Sequence, residues 1–158
     1  MMVRKIAVNV ARLVIAMTFI LSGFVKAVDP LGTQYKIVDY LKAMQLGTFV
    51  PDFLTLTASV LLSAVEFGLG ICMLFAIRRR LVSLLALCMM IPMTALTLWL
   101  AVANPVTDCG CFGDAVTLTN WQTFTKNVVL LGCVAIVRYR PLDMMRFVSK
   151  TNQWIVTN

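Results

Sequence analysis

Cys109 and Cys111 are the residues of this 158-residue chain with the clearest chemistry, standing in Thr107-Asp108-Cys109-Gly110-Cys111-Phe112-Gly113-Asp114. Two cysteines separated by one residue can join only through a tight ring, and Gly110 supplies the unusual backbone angles that such a ring demands. The bond departs from relaxed disulfide geometry and is easily reduced. It adds little stability, because so short a loop hardly constrains the unfolded chain. That suits thiol–disulfide exchange and suits a structural staple poorly. Asp108 and Asp114 flank the pair and oppose thiolate formation, which argues against a highly reactive nucleophile. A purely structural tight turn is the other reading of the same residues. No metal is expected: two thiolates plus Asp108 fall short of four ligands, and the chain has no histidine. An iron–sulfur cluster needs about four neighbouring cysteines, whereas Cys72, Cys88 and Cys133 lie inside apolar runs. There they read as small apolar side chains at helix contacts.

Arg12 and Glu66 are the two ionisable residues deep within apolar runs. Either one alone in lipid costs at least about 2.5–3.5 kcal/mol. Arg12 is 7 residues beyond Lys5 and Glu66 is 12 before Arg78, which sets both between the inner surface and the midplane. The expectation is that they pair or share a polar cavity, either to fix helix register or to form a quinone or proton site. Gly23, Gly68 and Gly70 nearby permit close helix approach.

The elements that position these residues are membrane helices. Hydrophobic residues make up 60% of the chain and charged residues 13%, and mean hydropathy is +0.88. A soluble domain carries about 45–50% apolar and roughly 25% charged residues, and so small a fold cannot bury the excess. An integral membrane protein remains. Four apolar segments approach the ~20 residues that cross the hydrocarbon as helix: 6–28, 53–77, 81–103 and 121–137. Lys126 and Asn127 weaken the fourth, and Pro92 should kink the third. The net charge is +7, but nucleic acid is not the expected partner, because the basic residues cluster at the ends of apolar runs. Arg4, Lys5, Arg78, Arg79, Arg80, Arg138, Arg140, Arg146 and Lys150 fall on one side with one acid, Asp143. The other side receives Lys26, Lys36, Lys42 and Lys126 with five aspartates. The positive-inside rule then puts both termini in the cytoplasm and the cysteine loop outside, in an oxidising compartment. Arg12 breaks the first apolar run and no A-x-A-like site follows closely, so an uncleaved helix is expected.

In the first outer loop, Pro30-Leu31-Gly32 reads as a turn. Residues 33–46 then put Ile37, Leu41 and Met44 on one stripe, with Lys36, Asp39 and Lys42 opposite and Gly47 as a stop. This predicts a short amphipathic helix, lying on the outer membrane surface or packed on the bundle. A second interfacial segment is read after Pro141, with Met144, Met145, Phe147 and Trp154. The whole chain, 1–158, is one domain: an all-α four-transmembrane-helix bundle, N-in and C-in.

The chain resembles the DoxX-like membrane proteins. Arg12, then Ser22-Gly23-Phe24-Val25-Lys26 and Asp29-Pro30, is similar to that family's first-helix signature, and Glu66-Phe67-Gly68-Leu69-Gly70 to its second. Asp108-Cys109-Gly110-Cys111-Phe112-Gly113-Asp114, followed by Asn127, resembles the MauE branch. The resemblance implies a four-helix membrane fold and a redox association. MauE-like proteins are linked to disulfide formation in a secreted enzyme subunit, and other DoxX-like proteins to thiosulfate:quinone oxidoreductase. Vitamin K epoxide reductase and the bacterial disulfide-generating quinone reductases, also four-helical, use C-x-x-C beside a quinone plus a second cysteine pair. This sequence has neither a C-x-x-C nor a second outer pair. Two functional expectations follow. In the first, an inner-membrane protein exchanges thiols and disulfides with a periplasmic or membrane partner through Cys109 and Cys111. Lys26 lies near the loop to favour thiolate, and a quinone near Arg12 and Glu66, or a second protein, takes the electrons. In the second, a non-enzymatic membrane subunit anchors or assembles a larger envelope complex.

Overall fold

The computed structural model describes residues 2–45, 50–104 and 118–145. Among them every regular element is helical: α1 (Met2–Val28), α2 (Pro30–Ala43), α3 (Asp52–Leu74), α4 (Arg79–Ala103), α5 (Asn120–Tyr139) and a short 3-10 turn, Pro141–Asp143. Three of these, α1, α3 and α4, are long and apolar enough to cross a membrane. α5 has 20 residues, about 30 Å of helix. Its polar first half, from Asn120 to Asn127, keeps it less apolar than the other three.

Packing is most extensive between α1 and α3 and between α4 and α5. Glycine permits the first. A Cβ on Gly23 would stand 2.6 Å from the backbone nitrogen of Phe67, and one on Gly70 would stand 2.8 Å from that of Ile20. Both positions need glycine for the two backbones to approach. Gly68, expected to share this role, has no atom within 4 Å of where its Cβ would be. It faces outward.

α2 continues the path of α1 along α3. The chain bends at Asp29 without reversing: the Asp29 N–H donates to the Val25 carbonyl (3.1 Å) and the Thr33 N–H to the Asp29 carbonyl (3.4 Å). The anticipated turn at 30–32 is instead the first turn of α2. Pro30 occupies the first helical position and the Asp29 carboxylate accepts from the Gly32 N–H at 2.9 Å, a capping arrangement that a missing proline N–H does not disturb. Ile37 and Leu41 are half-buried and Asp39 and Lys42 exposed, but Lys36 is half-buried too and Met44 is exposed, so the expected stripe holds only in part; the buried residues of α2 are Thr33 and Gln34. Polar groups fasten the helix to α3: Ser59 Oγ donates to the Pro30 carbonyl (2.8 Å), and Gln34 Nε2 donates to Thr55 Oγ1 (3.1 Å). The expected stop at Gly47 lies outside the described residues.

α1 and α3 keep one antiparallel register, with Gly23 level with Phe67, Ile20 with Gly70 and Pro30 with Ser59. α3 ends at Leu74, three residues short of the expected Ile77. The chain must reverse within four residues, and Ala76 (φ 55°) and Arg78 (φ 38°) take left-handed backbone to do so. α4 then runs through Pro92 to Asn104, also left-handed (φ 45°), a conformation asparagine tolerates. α5 opens with a reciprocal cap between Thr119 and Gln122.

The buried face of α5 is Asn120, Thr123, Asn127, Leu130, Val134 and Val137, alternating three and four residues apart like a coiled-coil seam. Its first half is polar and its second half apolar. Ile15, Met73, Ala86, Val134 and Val137 lie in the core, while Leu13, Met17, Leu21, Phe24, Leu61, Val65, Leu85 and Ile91 are exposed. An apolar exterior around a buried polar seam is what lipid requires.

Candidate functional site

The seam leads to a buried charge cluster. Ser22 and Lys26 are one turn apart on α1, and Gly23 between them brings α3 near enough to deliver Glu66. Lys26 Nζ donates to Glu66 Oε2 at 2.7 Å and to Ser22 Oγ at 3.1 Å, and Ser22 Oγ donates to the same carboxylate oxygen at 2.9 Å. Lys26, Glu66 and Ser22 are 4%, 7% and 6% exposed. A charge this deep is retained only when paired and hydrogen-bonded, and the triangle provides both.

A cavity of about 30 Å³ adjoins the triangle. Thr18, Ser22 and Lys26 line it from α1 and Glu66 from α3. Met90 and Met93 line it from α4, and Lys126 and Asn127 from α5. It has room and polar partners for a water or two. The ring of a quinone does not fit there unless the helices part. Asn127 Nδ2 donates to Thr97 Oγ1 at 3.2 Å, tying α5 to α4 at the cavity wall. One turn further on, Thr123 is 1% exposed and its hydroxyl has no hydrogen-bond partner among the described residues. At the end of the seam Asn120 Nδ2 donates to Asn104 Oδ1 at 2.8 Å. The last residue before the cysteine segment and the first helical residue after it are thus held side by side. Cys109 and Cys111, with Asp108, Gly110 and Asp114, lie outside the described residues.

Arg12 belongs to the other end. It is 1% exposed, and its Nη1 donates to the Met145 carbonyl at 2.6 Å. Asn9 meets the same segment, with Nδ2 donating to the Asp143 carbonyl (3.3 Å) and Oδ1 accepting from the Met145 N–H (2.9 Å). The anticipated Arg12–Glu66 pair does not form; Lys26 is the cation beside Glu66. The reason is the register. α1 overhangs α3, so Arg12 falls level with the turn after α3, and the 14 residues from Arg12 to Lys26 span about 21 Å of helix.

One comparison decides what kind of chain this is. The family model for methylamine utilisation protein MauE matches residues 4–140, from the start of α1 to just past α5. The chain belongs to the MauE family. Neither a curated protein nor a solved structure matches it.

This MauE-family chain is a membrane protein with several apolar helices. Its cysteines within helices carry no bond: Cys72 and Cys133 are half-buried against the core and Cys88 is exposed. Lys26 was legible in the sequence only as a loop-proximal cation. The signal for its real place was its spacing of four from Ser22, which puts both on the face that carries Gly23. Lys126 and Asn127, which read as defects in an apolar span, are the lining of the cavity. Among the described residues no cluster of metal-ligating side chains occurs.

Proposed function

We propose that this MauE-family protein is a membrane-embedded thiol–disulfide exchange protein whose redox couple is Cys109 and Cys111. On this reading α5 is the fourth span, both termini are cytoplasmic, the chain sits in the inner membrane and the cysteine segment faces the periplasm. The observation that carries the reading is the Asn104–Asn120 tie. It sets both ends of the cysteine segment at one end of the bundle. Arg4, Arg78, Arg79, Arg80, Arg138 and Arg140 cluster at the other, where α1 starts, α3 turns into α4 and α5 ends. Such asymmetry orients a membrane protein with the arginines in the cytoplasm.

In the exchange step a thiolate of the partner attacks the Cys109–Cys111 disulfide. A mixed disulfide forms and one cysteine leaves as thiolate. The partner's second thiolate then displaces the mixed disulfide. The partner ends oxidised, the Cys109–Cys111 pair ends as a dithiol, and two electrons have moved from one to the other. A second disulfide-bearing protein restores the pair by the same chemistry in reverse. The small size of the cavity beside Glu66 supports a protein acceptor over a quinone held inside the bundle. The partner class we infer is a secreted protein of methylamine utilisation whose disulfides must be formed. Replacing Cys111 with serine leaves Cys109 as a lone thiol, which attacks the second, disulfide-bearing protein but cannot release it, so Cys111→Ser is expected to accumulate that protein joined to Cys109 through a reducible bond. No trapped protein from cells grown on methylamine would contradict the reading.

Gly68 and Gly132 favour a second role, as a subunit of an envelope complex. Each has open space where a Cβ would stand, and outward glycines let a helix of another chain approach closely. Serine at both Cys109 and Cys111 separates the readings: exchange is lost and assembly retained if both hold.

A further inference from the structure

The basic end carries a second site. The Pro141–Asp143 turn is held against the start of α4, with Arg79 Nη1 donating to the carbonyls of Leu142 (3.1 Å) and Met144 (2.9 Å). Leu142 is 64% exposed and stands between two open clefts of about 450 Å³ each. Arg80, Arg138 and Arg140 border one cleft; Arg78 and Arg80 border the other. The carboxylate in this region, Asp143, is engaged by Arg4 Nε at 2.9 Å. Among the described residues Arg78, Arg80, Arg138 and Arg140 have no acidic partner. Arg140 lies over the Tyr139 ring, 5.0 Å from its centre. The rims are apolar, with exposed Leu81, Leu142 and Tyr139 where the apolar helices end.

Guanidinium groups that line two adjoining clefts repel one another unless an anion joins them. Guanidinium forks match phosphate oxygens in pairs. The apolar rims continue onto exposed apolar residues of α4 and α5, among them Leu84, Leu85 and Ile136, a surface that acyl chains would cover. We propose that the clefts on either side of Leu142 bind the phosphate of an anionic phospholipid, with Arg80 common to both. This inference rests on the chain being a membrane protein and is independent of the cysteine reading.

The test is thermal unfolding of the detergent-purified full chain with added phosphatidylglycerol, phosphatidylcholine or inorganic phosphate. Phosphatidylglycerol is expected to raise the midpoint saturably and the other two to leave it unchanged. Arg80→Gln and Arg140→Gln, both at exposed positions, are each expected to weaken the phosphatidylglycerol response about fivefold. The charge-matched Lys42→Gln, on α2 at the far end, is expected to keep it. Equal stabilisation by phosphatidylcholine, or by phosphate alone, would overturn the lipid assignment. So would an undiminished response in both arginine variants. A native mass spectrum of each variant reads retained lipid directly and separates lost binding from lost folding.

Discussion

At the scale of single residues, the Lys26–Glu66 pair sets the strongest constraint. Removing one partner of a buried pair leaves the other charge uncompensated, at a cost of about 3–5 kcal/mol, whereas replacing both with apolar residues is often neutral. Lys26→Met and Glu66→Leu are therefore each expected to lower the unfolding midpoint and folded yield severely. Lys26→Met with Glu66→Leu should recover most of the loss. Detergent-phase thermal unfolding of the three variants checks this, and additive losses in the double variant would contradict direct pairing. Arg12 is predicted to behave independently of Glu66, because it reaches the Met145 carbonyl at the opposite end of the bundle. The sequence singled out Arg12 and Glu66 as costly charges in apolar runs, and both are indeed buried. Which cation meets Glu66 was not legible, because counting inward from each helix's basic end assumes a common starting level. α1 begins well below the turn that ends α3, and the overhang moves Arg12 out of reach.

Among the elements, α1 and α3 depend on two glycines and not on the third. Gly23→Ala and Gly70→Ala are expected to destabilise by about 1–3 kcal/mol, the usual cost of forcing a methyl into a packed contact. Gly68→Ala should be silent, since nothing lies within 4 Å of the added carbon. Unfolding midpoints of the three variants decide the matter, and equal effects at all three would refute the register. The base of the cysteine segment yields a further expectation. Asn104→Ala removes both the hydrogen bond from Asn120 and a residue that tolerates left-handed backbone, so hydrogen exchange at residues 119–123 should rise. Unchanged protection there would show that the tie does not hold the two helices together. The apolar lengths in the sequence located α1, α3, α4 and α5 to within a few residues. Boundaries failed where turn chemistry decided them: Pro30 starts a helix behind an Asp29 cap, and Ala76 and Arg78 take strained backbone to close a tight reversal.

For the molecule as a whole, the buried polar side chains lie mostly on one side of the midplane. The α4–α5 seam is apolar toward the arginines and polar toward the cysteine segment, from Val137 to Asn120. The charge cluster lies along that polar half. A single sequence shows the polar residues of α5 only as a weakening of its hydropathy. Their function as an inward face appears once the three-and-four spacing is set against Thr97 and Asn104 of α4. The proposed exchange requires Cys109 and Cys111 to be a reversible couple on the extracytoplasmic side. Labelling with a membrane-impermeant maleimide on intact spheroplasts, before and after mild reductant, tests it most directly in a variant retaining only these two cysteines. Labelling of both thiols from outside, and only after reduction, is the predicted result. Labelling that requires broken membranes, or free thiols whatever the ambient potential, would contradict the account.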